Sequence, residues 1–164
     1  MTAVESDRNR LVKIALEEDR RIRRSAEVEH ERAVAVFDLL EDNVFGLTDG
    51  PPGPYCLKIG IRENRLVLDV CDDDEAPLRE ILLPITPLRG LVRDYFTVCE
   101  AYYEAIKTAS PSRIEAIDMG RRSIHDEGAE TLLRRLAPRV AMDQATSRRL
   151  FTLICVLHVR DMRE

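Results

Sequence analysis

At 164 residues the chain is long enough for one domain with a real hydrophobic core. Hydrophobic residues at 45% and charged residues at 34% exclude a disordered composition, and aromatics at only 5% with no Trp point to an aliphatic core. A formal net charge of −5 argues against a general nucleic-acid binder, which needs clustered basic charge to neutralise phosphates.

The chain starts MTAVESDRNR, a polar run without the apolar core of a signal peptide, and residues 1–9 are expected to be disordered. LVKIALE (11–17) alternates apolar and polar positions and predicts a first strand. A basic loop follows, with Arg20, Arg21, Arg23 and Arg24. It reads as solvated surface or as an anion- or RNA-facing patch, and no aromatics are interleaved for base stacking. Ser25 is a suitable N-cap, and Glu27 and Glu29 place negative charge in the first helical turn. The helix runs through VEHERAVAVFDLLED. The Pro/Gly-rich FGLTDGPPGP (45–54) is expected to form neither helix nor strand, but a loop within the domain.

YCLKIGIRENRLVLDVC (55–71) predicts a hairpin with its turn at Glu63-Asn64. In that register Ile61 faces Leu66, Ile59 faces Leu68 and Leu57 faces Val70, all on one side of the sheet. The other side sets Lys58 opposite Asp69 and Cys56 opposite Cys71. In a reducing cytosol two free thiols are expected there, with a redox-sensitive cross-strand disulfide as the alternative. DDDEAP (72–77) reads as a solvated acidic turn without the spacing of a calcium loop. REILLPI (79–85) predicts a third strand of the meander, with Pro84 suggesting an edge or terminus.

PLRGLVRDYFTVCEAYYEAIKTA (87–109) is the clearest helix, with Thr86 as expected N-cap and Pro87 at its first position. Leu88, Leu91, Val92, Tyr95, Phe96, Cys99, Tyr102, Tyr103 and Ile106 fill one side. Ser110-Pro111 opens another helix, which reaches at least His125 and extends through Gly128 to Leu136 if the glycine is tolerated; Pro138 stops it. Arg134, Arg135 and Arg139 form a second basic cluster near its end. Asp143 caps a last helix, Gln144 to Val159, apolar nearly all round after Leu150 and therefore central. No apolar run is long enough to span a bilayer. The order is β-α-β-β-β-α-α-α. It predicts a single α+β domain over residues 1–164, with a small, largely antiparallel sheet packed against helices.

The polar residues out of place mark where chemistry would sit. Arg121 falls inside the apolar stripe of Ile114, Ile117, Ile124 and Leu132, where a guanidinium needs a carboxylate, carbonyl or anionic ligand. Glu29 and Arg32 project from the face that carries Val28, Ala33, Ala35, Val36, Leu39 and Leu40. Glu29 is the expected counter-charge of Arg121. Arg122 would join Asp118 and Asp126 in an i,i+4 ladder. Two readings stay open. One is a buried ion-pair network that sets helix packing. The other is a pocket in which Arg32, Arg121 and Arg122 bind a phosphate or carboxylate, His30 or His125 acts as acid or base, and Glu29 orients them. There is no Gly-rich phosphate loop, nucleophile elbow or HExxH motif. The four cysteines form no CxxC pair, and Cys155 with His158 supplies only two ligands, so neither a metal nor a cofactor is expected.

Across VEHERAVAVFDLLEDN, DYFTVCEAYYEAI, IEAIDMGRRSIHDEG and RRLFTLICVLH the chain resembles a small bacterial family, mainly alphaproteobacterial, catalogued as an uncharacterised protein family. The resemblance covers nearly all of the chain after residue 8. It implies a single domain and brings no activity, cofactor or catalytic residue. The expectation is a soluble, cytoplasmic, non-enzymatic binding or regulatory module for a protein partner or small anionic ligand. The alternative is an enzyme acting on a small phosphorylated or carboxylated substrate through the Arg/His/Glu cluster.

Overall fold

Alternating and helical apolar patterns meet in one core. The computed structural model describes residues 8–17 and 25–163, the last five as backbone only. The elements are β1 (Leu11–Leu16), α1 (Ala26–Glu41), β2 (Phe45–Leu47), β3 (Tyr55–Arg62), β4 (Arg65–Asp72), β5 (Pro77–Pro84), α2 (Thr86–Thr108), α3 (Pro111–Leu136), β6 (Val140–Met142) and α4 (Gln144–Arg163). Four strands form a mixed sheet in the order β1-β3-β4-β5, with β1 parallel to β3 and the other pairs antiparallel. The helix between β1 and β3 makes the parallel crossover possible. The fold is α+β, and the long elements follow the expected order.

The hairpin register is the one its alternation demands. Ile61, Ile59 and Leu57 face Leu66, Leu68 and Val70, and Arg62 faces Arg65. Glu63 and Asn64 both take positive φ, 52° and 62°, as a two-residue turn that matches the strand twist requires. The odd-numbered side of β3 and its partners enter the core, while the other side carries Lys58, Arg62, Asp69 and Glu80. There Arg62, rather than Lys58, forms the ion pair with Asp69, at 3.7 Å. Pro77 and Pro84 sit at the ends of edge strand β5, where a missing N–H costs no ladder bond.

Three expectations need correction. Phe45–Leu47, assigned to loop by its Pro/Gly surroundings, pairs with Val140–Met142 as a two-stranded ribbon. Thr86 is the first residue of α2 rather than its cap; Ile85 holds the cap position without a side-chain bond, and its carbonyl accepts from the Leu88 and Arg89 amides. On α1, Leu40 and Ala33 turn out to solvent, because the buried stripe is centred on Ala35 and Leu39. Residues 1–7 of the stretch expected to be disordered, and Arg20, Arg21, Arg23 and Arg24 of the basic loop, lie outside the described residues. Asn9 is buried, its side chain accepting from the Gly53 amide and the Tyr55 hydroxyl.

The helices stack around α4, whose segment Leu150–Leu157 is buried on every side. α1 and α3 pack on α4, and α2 packs mainly on α3. Ser25, Ser110 and Asp143 cap their helices as expected, accepting from the Val28, Arg113 and Thr146 amides. Asn43 ties the end of α1 to β1: its side chain accepts from the Leu11 amide and donates to the Leu11 and Leu39 carbonyls. α3 runs unbroken through both of its glycines, and the reason differs at each. A Cβ on Gly128 would collide with the Phe151 ring of α4, whereas one on Gly120 would meet nothing within 4 Å.

The two glycines therefore respond oppositely to the same change. Ala is the better helix former by about 1 kcal/mol, so Gly120→Ala is expected to stabilise. Gly128→Ala is expected to destabilise by about 2 kcal/mol despite that propensity, because α3 and α4 must separate. Urea denaturation of both variants checks the contrast; two shifts of the same sign would contradict the helix contact.

Candidate functional site

Arg121 is where the helical pattern predicts it, facing other helices with its side chain only 25% exposed. Its charge is met locally. Nη2 and Nε donate to Asp118 Oδ1 at 2.7 and 3.1 Å, and Nη1 lies 3.7 Å from Glu31 Oε1. The guanidinium sits over the Tyr102 ring, 4.7 Å from its centroid. Burial opposes the charge, and the hydrogen bonds and charge of Asp118 overcome it, holding Arg121 above its ordinary value.

The expected partner, Glu29, is not the one used. Glu29 pairs with Arg32 on its own helix at 3.6 Å. Two residues on, about 200° further around the helix, Glu31 joins the stripe of Val28, Ala35 and Leu39 and faces Arg121. Glu31 also accepts from the Tyr103 hydroxyl at 2.9 Å, so one carboxylate joins α1, α2 and α3. The expected ladder is corrected too. Arg122 pairs with Asp118 at 3.1 Å, while Asp126 is taken by Arg148 of α4 at 3.4 Å. His30 is exposed on α1.

His125 occupies the α3–α4 contact. Its Nε2 lies 2.7 Å from Thr152 Oγ1 and 2.9 Å from the Arg148 carbonyl, and its ring packs against Tyr95 and Phe151. Burial pushes its proton affinity down, with the Arg148 carbonyl partly countering. The structure thus joins Arg121 to Asp118, Glu31 and two tyrosines. It leaves Glu29, His30 and Arg122 on exposed surface and sets His125 in a separate contact.

The concave feature beside this network was not foreseen. α1 and α2 lean on α4 without packing closely on each other, and between them lies a groove of about 500 Å³. Thr152, Cys155 and Val156 of α4 line it together with Val28 of α1 and Tyr95, Phe96, Cys99 and Tyr103 of α2. Its charged lining residues are Glu27, Glu31, Glu100 and Glu104, and no Arg, Lys or His lines it among the described residues. Burial pushes the Cys99 thiol up to about 11 and raises Cys155 well above its ordinary value, so both are neutral thiols that add apolar surface. Glu100 and Glu104 lie one turn apart on α2 but Glu27 belongs to α1, and only the placement of both helices beside α4 shows that the three share a rim.

The depressed affinity of His125 has a consequence for stability. In the unfolded chain this imidazole takes a proton near its ordinary value of 6.5, whereas in the folded chain it does so lower. Between those values the unfolded state binds more protons, so the contribution of His125 is complete above pH 6.5 and is lost as pH falls toward the folded value. Charges acting on it from Arg148, Glu31 and Asp126 are common to both sides of a His125→Gln comparison. The variant is expected to lose stability less steeply than wild type between pH 7 and pH 5.5 in denaturant titrations. Parallel slopes would contradict the burial of a neutral ring.

The chain matches the uncharacterised protein family UPF0262 over residues 8–160. The UPF0262 protein of Rhodospirillum rubrum is 53% identical over 154 residues, which are 94% of this chain and 95% of the relative. That of Paramagnetospirillum magneticum is 54% identical over 153 residues, 93% of this chain and 98% of the relative. One from Rhodopseudomonas palustris is 52% identical over 154 residues, 94% of each chain. No solved structure matches. The chain belongs to the uncharacterised, mainly alphaproteobacterial family UPF0262.

Proposed function

We propose that this protein is a non-enzymatic binding module of the cytoplasm, and that its site is the groove between α1 and α2. The occupant that fits is a small organic cation, an ammonium or guanidinium group carried on an apolar body. The observation that carries this reading is the lining: an apolar floor with four glutamates as its charged residues among those described. A volume of about 500 Å³ lies within the range of small-molecule sites. A desolvated cation would be met by carboxylates beside the aromatic lining of Tyr95, Phe96 and Tyr103. The anionic ligand expected from the arginines is disfavoured here. Arg121 is already engaged by two carboxylates, and an anion in the groove would face Glu31. Four buried free thiols suit a reducing environment and support the cytoplasmic part of this reading.

Calorimetric titration with benzylamine, benzyl alcohol and benzoate separates charge from shape. Benzylamine is expected to bind, benzyl alcohol more weakly and benzoate not at all. Replacing both Glu27 and Glu100 by Gln should weaken benzylamine about tenfold while leaving the thermal midpoint nearly unchanged, since two partly screened charges supply that much. Binding of benzoate as tight as that of benzylamine, or an unaltered affinity in the double variant, would overturn the reading.

A further inference from the structure

The sheet face turned away from the hydrophobic core cluster holds a feature unrelated to the groove. Cys56 of β3 and Cys71 of β4 are direct partners in the hairpin register, and Lys13 of β1 is the neighbour of Cys56 on the other side. Strand alternation turns both cysteines away from the face that carries Tyr55, Leu57 and Val70. Cys99 and Cys155 belong to the hydrophobic core cluster, whereas Cys56 and Cys71 lie outside it. Yet the two sheet cysteines are only 3% and 5% exposed.

A pair of movable charged side chains lies beside Cys56. Lys13 Nζ and Glu75 Oε2 form an ion pair at 3.9 Å, with side chains 65% and 53% exposed. Burial pushes the Cys56 thiol up, and Lys13 is the largest influence that pulls it back toward the thiolate, with Glu75 opposing it. An ion pair this exposed contributes little and opens readily. The thiols are buried but lie outside the hydrophobic core cluster, beside this weak ion pair. Directly opposed residues of an antiparallel pair have Cα atoms about 4.5 or 5.5 Å apart, and both values fall within the span of about 4.4–6.8 Å that a disulfide bridges.

We propose that Cys56 and Cys71 form a reversible dithiol–disulfide site, closed by exchange with a small disulfide of the glutathione class. In the first step the thiolate of one cysteine attacks a sulfur of oxidised glutathione. The glutathione S–S bond breaks, one glutathione thiolate leaves, and a protein–glutathione mixed disulfide remains. In the second step the thiolate of the opposing cysteine attacks the protein sulfur of that mixed disulfide and releases the second glutathione thiolate. Two protein thiols are oxidised, one oxidised glutathione becomes two reduced ones, and the two protons pass from the cysteines to the released thiolates. The product clamps β3 to β4 at the end of the hairpin away from its turn. It is expected to raise the thermal midpoint, because the cross-link constrains the unfolded chain.

The test uses the full chain under native conditions. It is equilibrated in buffers of graded oxidised-to-reduced glutathione ratio, quenched with acid, alkylated, and read by intact mass and peptide mapping. The expected product carries two alkyl groups fewer than the fully alkylated dithiol, joins the Cys56 and Cys71 peptides within one chain, and returns to the dithiol with dithiothreitol. Cys99 and Cys155 should remain alkylatable after denaturation, and Cys71→Ser should stop at a glutathione adduct on Cys56. The proposal is overturned by any of three outcomes in the wild type: thiols that stay unmodified unless denaturant is added, glutathione adducts that persist without a link, or a link that involves Cys99, Cys155 or a second chain. Because the wild-type readout decides the matter, poor folding of a variant does not obscure it.

Discussion

The Glu31 carboxylate is anchored on α1, accepts a hydrogen bond from Tyr103 of α2, and lies within ion-pair distance of Arg121 of α3. Each contact is half-buried, with Glu31 26% and Arg121 25% exposed, so screening is partial and removal of Glu31 would leave both partners wanting. The hydrogen bond to a charged acceptor contributes about 1.5–3 kcal/mol at the upper end of what such bonds supply. The longer pairing with Arg121 adds less. Its importance lies in position. Apolar packing holds α1 to α4 and α2 to α3, but does little to hold α1 to α2 directly. Glu31 spans that gap with polar contacts, and the groove persists beside it.

That arrangement decides the electrostatic character of the groove. Arg121 would be the natural receptor for an anion, but Asp118 binds it from within α3 and Tyr102 covers its face. Asp118 is itself shared with the exposed Arg122. The charge of Arg121 is thus answered by Asp118 on its own helix and by Glu31 of α1, and Glu27, Glu100 and Glu104 are left to define the rim. Neutral buried cysteines and tyrosine rings complete an apolar floor, in which a cation is favoured over an anion by the sign of every charged lining residue among the described residues.

How much of this was legible depends on the strength of the local pattern. The hairpin was readable to the residue because its period of two leaves one register that buries Leu57, Ile59 and Ile61 together. The central role of α4 was readable because a helix apolar on all sides has nowhere else to go. The ribbon of Phe45–Leu47 with Val140–Met142 was not, since three-residue strands carry too little periodicity and their pairing joins distant parts of the chain. The counter-charge of Arg121 failed for a related reason. α1 is apolar over much of its circumference, with Val34, Phe37 and Leu40 on the outside and Ala35 and Leu39 within, Phe37 being 66% exposed. Such a helix can be phased in two ways, and the wrong phase brings Glu29 inward in place of Glu31. The helical pattern singles out Arg121 as the residue needing a partner; which residue answers it depends on tertiary packing.

The claim that Glu31 couples α1 to α3 is tested most directly by a double-mutant cycle. Glu31→Gln, Arg121→Gln and the combined variant are compared by urea denaturation with the same cycle built on Glu29→Gln. The account predicts a coupling of about 0.5–1.5 kcal/mol between Glu31 and Arg121 and none beyond error between Glu29 and Arg121. Additive effects at Glu31, or an equal coupling at Glu29, would contradict it.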